Sequence, residues 1–136
     1  MELELGKETP GRLHVKFGRG GLVDVEFLVQ ALQLKHGAEH PEVRRAATIA
    51  GLAGLARAGA LAPDTERELT EHYRFLRRVS AGLRLLSARP PDTIELAGPM
   101  PARVATALGL ASRDAFLSEY RRRTTAVRAA YTEHVG

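Results

Sequence analysis

Lys16-Phe17-Gly18-Arg19-Gly20-Gly21-Leu22-Val23-Asp24-Val25-Glu26-Phe27-Leu28-Val29-Gln30 changes its hydrophobic period partway along, and that change decides how the chain is read. Ahead of the glycines, Leu13, Val15 and Phe17 alternate with other residues at the spacing of a strand. After Gly20-Gly21 the spacing predicts a helix from Leu22 to His36, with Val25, Leu28, Val29 and Leu32 on one face and Phe27, Ala31 and Leu34 on another. An apolar surface that wide predicts burial on several sides. Gly37 is placed to close the helix in a left-handed cap.

Working downstream, a second helix is expected from Pro41, tolerated in a first turn, through Val43, Ala47, Ile49, Leu52 and Leu55 to Gly59. The third and longest begins near Pro63-Asp64, where Asp64 or Thr65 can cap, and repeats Leu69, Tyr73, Leu76, Val79, Leu83 and Leu86 at helical spacing. Arg89-Pro90-Pro91-Asp92 stops it, and the prolines up to Pro101 argue against regular structure. A short helix, Ala102 to Leu108, ends at Gly109; a last one starts at the N-cap Ser112 and runs through Phe116, Tyr120, Val127 and Tyr131. The fold class is therefore all-α, a bundle of about five helices.

Upstream, Thr9-Pro10-Gly11 marks a turn before the short alternating run. One strand cannot satisfy its own edge, and the rest of the sequence offers no evident partner. The expected division is residues 1–17 as an extended remnant of a preceding domain and 18–136 as the bundle.

Composition agrees. The 136 residues suffice for one core, aromatics are only 5%, tryptophan is missing, and Leu, Val and Ala must fill the interior. Without cysteine there is no disulfide scaffold, thiolate metal site or cysteine nucleophile, and a reducing, cytoplasmic setting fits. The charged first residues and the lack of eighteen consecutive apolar positions point to neither a signal peptide nor a membrane span. The net charge of +4 raises the question of nucleic acid. Consecutive Arg121, Arg122 and Arg123 fan around a helix instead of forming a stripe, which reads as a solvated face and not a nucleic-acid surface.

The run from Val15 to Gln30, continuing into Leu32-Gln33-Leu34, resembles a motif of glutamine synthetase adenylyltransferases. Tyr73-Arg74-Phe75-Leu76-Arg77-Arg78-Val79, the proline-interrupted loop, Leu108-Gly109 and the arginine-bearing last helix follow the same family's order, so the resemblance extends from about Leu13 to the end. Ser80-Ala81-Gly82 departs from it, since the family often has a glutamate there followed by polar or basic residues. The resemblance implies a helical accessory domain following a nucleotidyltransferase domain, in its C-terminal, adenylylating half. Such enzymes transfer AMP from ATP to a tyrosine of glutamine synthetase, or remove it, using magnesium and under control of PII protein. The implied partners are that nucleotidyltransferase domain, glutamine synthetase and PII.

The chain itself is expected to be inactive. Two-metal nucleotidyl transfer needs clustered carboxylates, and the Gly-Ser turn and Asp-x-Asp strand of the resembled superfamily are missing from this sequence. Asp24 and Glu26, two apart on a helix, point about 200° away from one another and cannot chelate one ion. No catalytic residue, metal site or cofactor is therefore assigned to this chain. His36 and His40 have a metal-pair spacing, but Gly37 and Pro41 break the helix around them.

A glycine-rich turn before a helix is a generic anion cradle. It makes Lys16, Arg19, Gly20, Gly21 and Asp24 the candidates for auxiliary nucleotide contacts. Glu26, Gln30 and Gln33 form a polar stripe offered for interdomain hydrogen bonds. The Arg77-Arg78 pair is expected to divide between solvent and an interhelical salt bridge. Two other readings are an autonomous helical interaction module and the equivalent domain of a PII uridylyltransferase.

Overall fold

The computed structural model describes residues 11–36, 47–86 and 92–135. In chain order these form β1 (Arg12–His14), α1 (Leu22–His36), α2 (Thr48–Arg57), α3 (Pro63–Leu86), β2 (Thr93–Glu95), α4 (Met100–Ala107) and α5 (Arg113–His134). The expected all-α bundle of about five helices is borne out, with five helices among the described residues. Gly37, His40, the start of the second helix at Pro41 and the stop at Pro90-Pro91 lie outside the described residues.

Leu76, Val79 and Leu83 of α3 meet Leu28 of α1, Leu52 and Leu55 of α2, Val104 of α4 and Phe116, Tyr120 and Val127 of α5 in one core. Each such side chain contributes about 1.5–3 kcal/mol on leaving water. α3 borders every other helix, and α1 packs on α2, α3 and α5. Pro63 opens α3, so Asp64 and Thr65 lie in its first turn and not at the cap; Asp64 instead accepts from Arg67. Ser112 caps α5 as expected, its hydroxyl accepting from the Ala115 amide at 3.1 Å.

Two expectations are corrected. The stretch before Pro101 supplies a strand: β2 pairs antiparallel with β1, matching Leu13 to Ile94. Thr93-Ile94-Glu95 has the required alternation, and Ile94 is fully buried. Hence the first strand has its partner within the chain, and Val15 just beyond it is fully buried in the bundle core. The second correction is to α1. Leu22, Val25, Leu28, Val29 and Leu32 are buried, but Phe27 is 41% and Leu34 87% exposed, so a single stripe carries the packing.

Candidate functional site

The glycine-rich turn is locked by its own backbone. Gly18 N–H donates to His14 O, Gly21 N–H to Gly18 O, Leu22 N–H to Val15 O and Val23 N–H to Lys16 O. Gly20 N–H donates to Asp24 Oδ2 at 2.6 Å. Every amide from Gly20 to Val23 thus has an acceptor inside the chain, although a helix start normally leaves such donors open. The expected cradle is corrected on this point, because Gly20 and Gly21 have no amide to offer a phosphate.

The glycines serve packing. Gly20 has φ of +72°, and a Cβ there would run into Thr124 on α5, 2.7 Å from its carbonyl carbon and 2.9 Å from its Cα. A Cβ on Gly21 would meet the carbonyl oxygens of Val15 and Gly18. The turn lies directly on the α5 backbone.

Asp24 joins the turn to that helix. The oxygen that accepts from Gly20 also accepts from Arg128 Nη1 at 3.0 Å, with both side chains less than one-fifth exposed. Burial pushes the Asp24 carboxyl above its ordinary value, while the Gly20 amide and the Arg19 charge pull it down. Arg128 also stacks on Tyr131, 4.4 Å from the ring centroid.

Glu26 leaves α1 in another direction and accepts from the Tyr73 hydroxyl of α3 at 2.8 Å. Burial, reinforced by Glu26, pushes the Tyr73 phenol up and keeps it a donor. The two acids therefore diverge to different helices, as their spacing requires. Within the polar stripe of Glu26, Gln30 and Gln33, Gln30 is exposed and Glu26 meets α3.

The other candidates separate. Arg19 borders an open groove of about 730 Å³ along α5, with Thr124, Arg128 and Thr132. Lys16 instead lines a half-enclosed pocket of about 220 Å³ with Glu26, Tyr73, Arg77, Arg84 and Asp92. Arg77 and Arg84 escaped the sequence reading as site residues, although their spacing of seven already put them on one helical face. Arg77 and Arg78 form no ion pair among the described residues. Arg77 lies beside the Tyr73 ring, and Arg78 Nη2 is 3.5 Å from Leu108 O.

A separate cluster ties α5 to α3. Glu119 accepts from Arg122 and Arg123, each at 2.7 Å, and Arg123 also stacks on Phe75 and approaches His72 Nδ1 at 3.3 Å. The Arg122 hydrogen bond, with further help from Arg123, holds the Glu119 carboxyl down at about 2 from an ordinary 4.5. Burial, followed by the Arg123 and Arg122 charges, holds His72 below its ordinary value. A carboxyl with a depressed folded pKa contributes stability above its unfolded pKa and loses it as pH falls through the folded one. Glu119 is 27% exposed, so screening limits the effect to about 1 kcal/mol. Urea unfolding should show Glu119→Gln weaker than the parent above pH 4.5, with the gap closing as pH falls towards about 2. A gap independent of pH would contradict the ion-pair assignment. His72, depressed as a base, adds an acid-side loss that begins below 6.5.

A family model described as GlnD PII-uridylyltransferase matches residues 6–135. The chain is 38% identical over 136 residues to a bifunctional glutamine synthetase adenylyltransferase/adenylyl-removing enzyme of Streptomyces avermitilis, covering 98% of this chain and 14% of that protein. Proteins with the same description from Xanthomonas campestris pv. campestris (strain B100) and Nocardia farcinica are 35% and 34% identical over 119 residues. Those matches cover 88% and 85% of this chain but 13% and 12% of the relatives. The chain thus spans about one-seventh of the length of the curated relatives it matches.

Proposed function

We propose, on the premise that this chain belongs to the GlnD PII-uridylyltransferase family and aligns with its glutamine synthetase adenylyltransferase relatives, that it serves as the helical accessory domain of such an adenylyltransferase. The observation that carries this reading is the use made of Asp24 and Glu26. They sit in the segment that most resembles the family, yet one braces α1 against α5 and the other braces α1 against α3. They shape a rigid support and leave metal chelation to carboxylates elsewhere. The domain would complete the cleft of a nucleotidyltransferase domain and help to present glutamine synthetase, with ATP and magnesium bound mainly by that other domain. PII as regulator and the cytoplasm as the compartment belong to the same proposal. Among the described residues no helix is long and apolar enough to cross a membrane.

The test is a chimera in which this chain replaces the matching segment of the Streptomyces avermitilis relative. Transfer of labelled AMP to glutamine synthetase should persist in the chimera and be undetectable with the isolated chain. Efficient transfer by the isolated chain would sink the accessory reading. A folded chimera that no longer transfers AMP would also count against it.

A second reading, the corresponding domain of a PII uridylyltransferase, draws on the description of the matching family model. It would gain if the same chain supported UMP transfer to PII in a uridylyltransferase host and failed in the adenylyltransferase host.

A further inference from the structure

We propose that the pocket between the 15–22 turn and α3 binds a tetrahedral oxyanion, a phosphate held by Lys16, Arg77 and Arg84. The inference stands apart from the accessory-domain reading, because it needs only the pocket and its charges.

Among the described residues, three cations from two separate elements line this pocket of about 220 Å³. Arg77 and Arg84 lie two turns apart on one face of α3, and the small Ser80 and Ala81 between them also line the pocket. Lys16 enters from the turn opposite. Among the described residues none of the three has a carboxylate partner. Lys16 lies over the Phe17 ring, and Arg77 lies beside the Tyr73 ring and hydrogen-bonds its hydroxyl, which leaves further guanidinium N–H groups for a ligand.

The acids in the wall are already occupied. Tyr73 donates to Glu26, and Ser80 donates to the buried Asp92 at 2.5 Å. Among the described lining residues, Lys16, Arg77 and Arg84 against Glu26 and Asp92 keep a formal charge of +1. Guanidinium forks and an ammonium approaching from different sides suit a group with several charged oxygens.

Volume narrows the ligand further. At about 220 Å³ the pocket is smaller than the roughly 300–1,000 Å³ typical of organic ligand sites. It can admit inorganic phosphate or the phosphate tail of a nucleotide, but not an enclosed base and ribose.

The experiment is an amide-shift titration of the full chain at constant ionic strength, with inorganic phosphate in one arm and magnesium-free ATP in the other. Saturable shifts are expected at Lys16, Leu22, Arg77 and Arg84. Saturation by phosphate identifies the free anion as sufficient, and saturation by ATP alone identifies a nucleotide tail. Ala81→Glu, at an exposed helical position in the lining, brings a carboxylate between the two arginines and should weaken binding about tenfold or more with helicity unchanged. Arg84→Gln should weaken binding similarly, and Arg122→Gln on α5 should not. Shifts that fail to saturate in both arms, or an Ala81→Glu affinity equal to the parent, would overturn the proposal.

Discussion

Gly20→Ala should cost the domain about 2–5 kcal/mol, a large part of the stability of an ordinary small domain. Two costs combine. An L-residue held at φ of +72° loses about 1–2 kcal/mol, and forcing a methyl into a packed site adds about 1–3 kcal/mol. The atoms it would strike belong to the Thr124 backbone, inside a regular helix, and cannot swing aside as a side-chain tip can. Gly59 provides the control. Its φ is +79°, but a Cβ there would meet nothing within 4 Å, so Gly59→Ala should show only the conformational cost of about 1–2 kcal/mol. Urea unfolding of the two variants separates the terms. Equal losses would mean that the contact between the turn and α5 carries no stability of its own.

The same glycines show where sequence reasoning succeeds and where it stops. Periodicity located α1, the long α3 and α5 because each buries a stripe whose spacing is written in the chain. It found the Ser112 cap because a hydroxyl at that position satisfies a donor that every helix start exposes. It could not tell whether the amides of Gly20 and Gly21 point to a ligand or to carbonyls. Their acceptors are Asp24 and Gly18, and only the folded path of the turn sets those directions.

β2 was missed for a related reason. Prolines nearby argued against regular structure, yet three residues are enough to pair with β1 when Ile94 has a core to enter. Asp92, just ahead of it, adopts φ of +80°, a conformation that aspartate tolerates better than most residues; its carbonyl accepts from Val15 N–H. The α1 surface failed in the opposite sense, since periodicity measures how apolar a face is and not whether a neighbour covers it. Tyr73 with Glu26 and Arg128 with Asp24 join residues 47 and 104 positions apart. No local pattern encodes such pairs. Lys16 and Arg19, read together as one cluster, end in different cavities because the turn between them reverses direction.

Asp24→Ala should lower stability by about 2–4 kcal/mol, since it removes the acceptor shared by the Gly20 amide and Arg128 and leaves both donors partly buried. Asp24→Asn should lose less. Its amide oxygen can still accept from Gly20, and neutralising the side chain relieves the burial cost that pushes the carboxyl upward. Arg128→Met alone should leave a carboxylate that keeps only the Gly20 amide from this pair of donors. The double variant Asp24→Ala/Arg128→Met should then be more stable than the sum of the single losses predicts, with a coupling of about 1–3 kcal/mol. The experiment also decides between two roles for the residue. If Asp24 acts chiefly on a neighbouring catalytic domain, Asp24→Ala would leave unfolding of this chain unchanged and reduce only AMP transfer in the chimera. If it acts as the structure arranges it, transfer falls because the turn loosens from α5, stability falls with it, and Asp24→Asn recovers part of both.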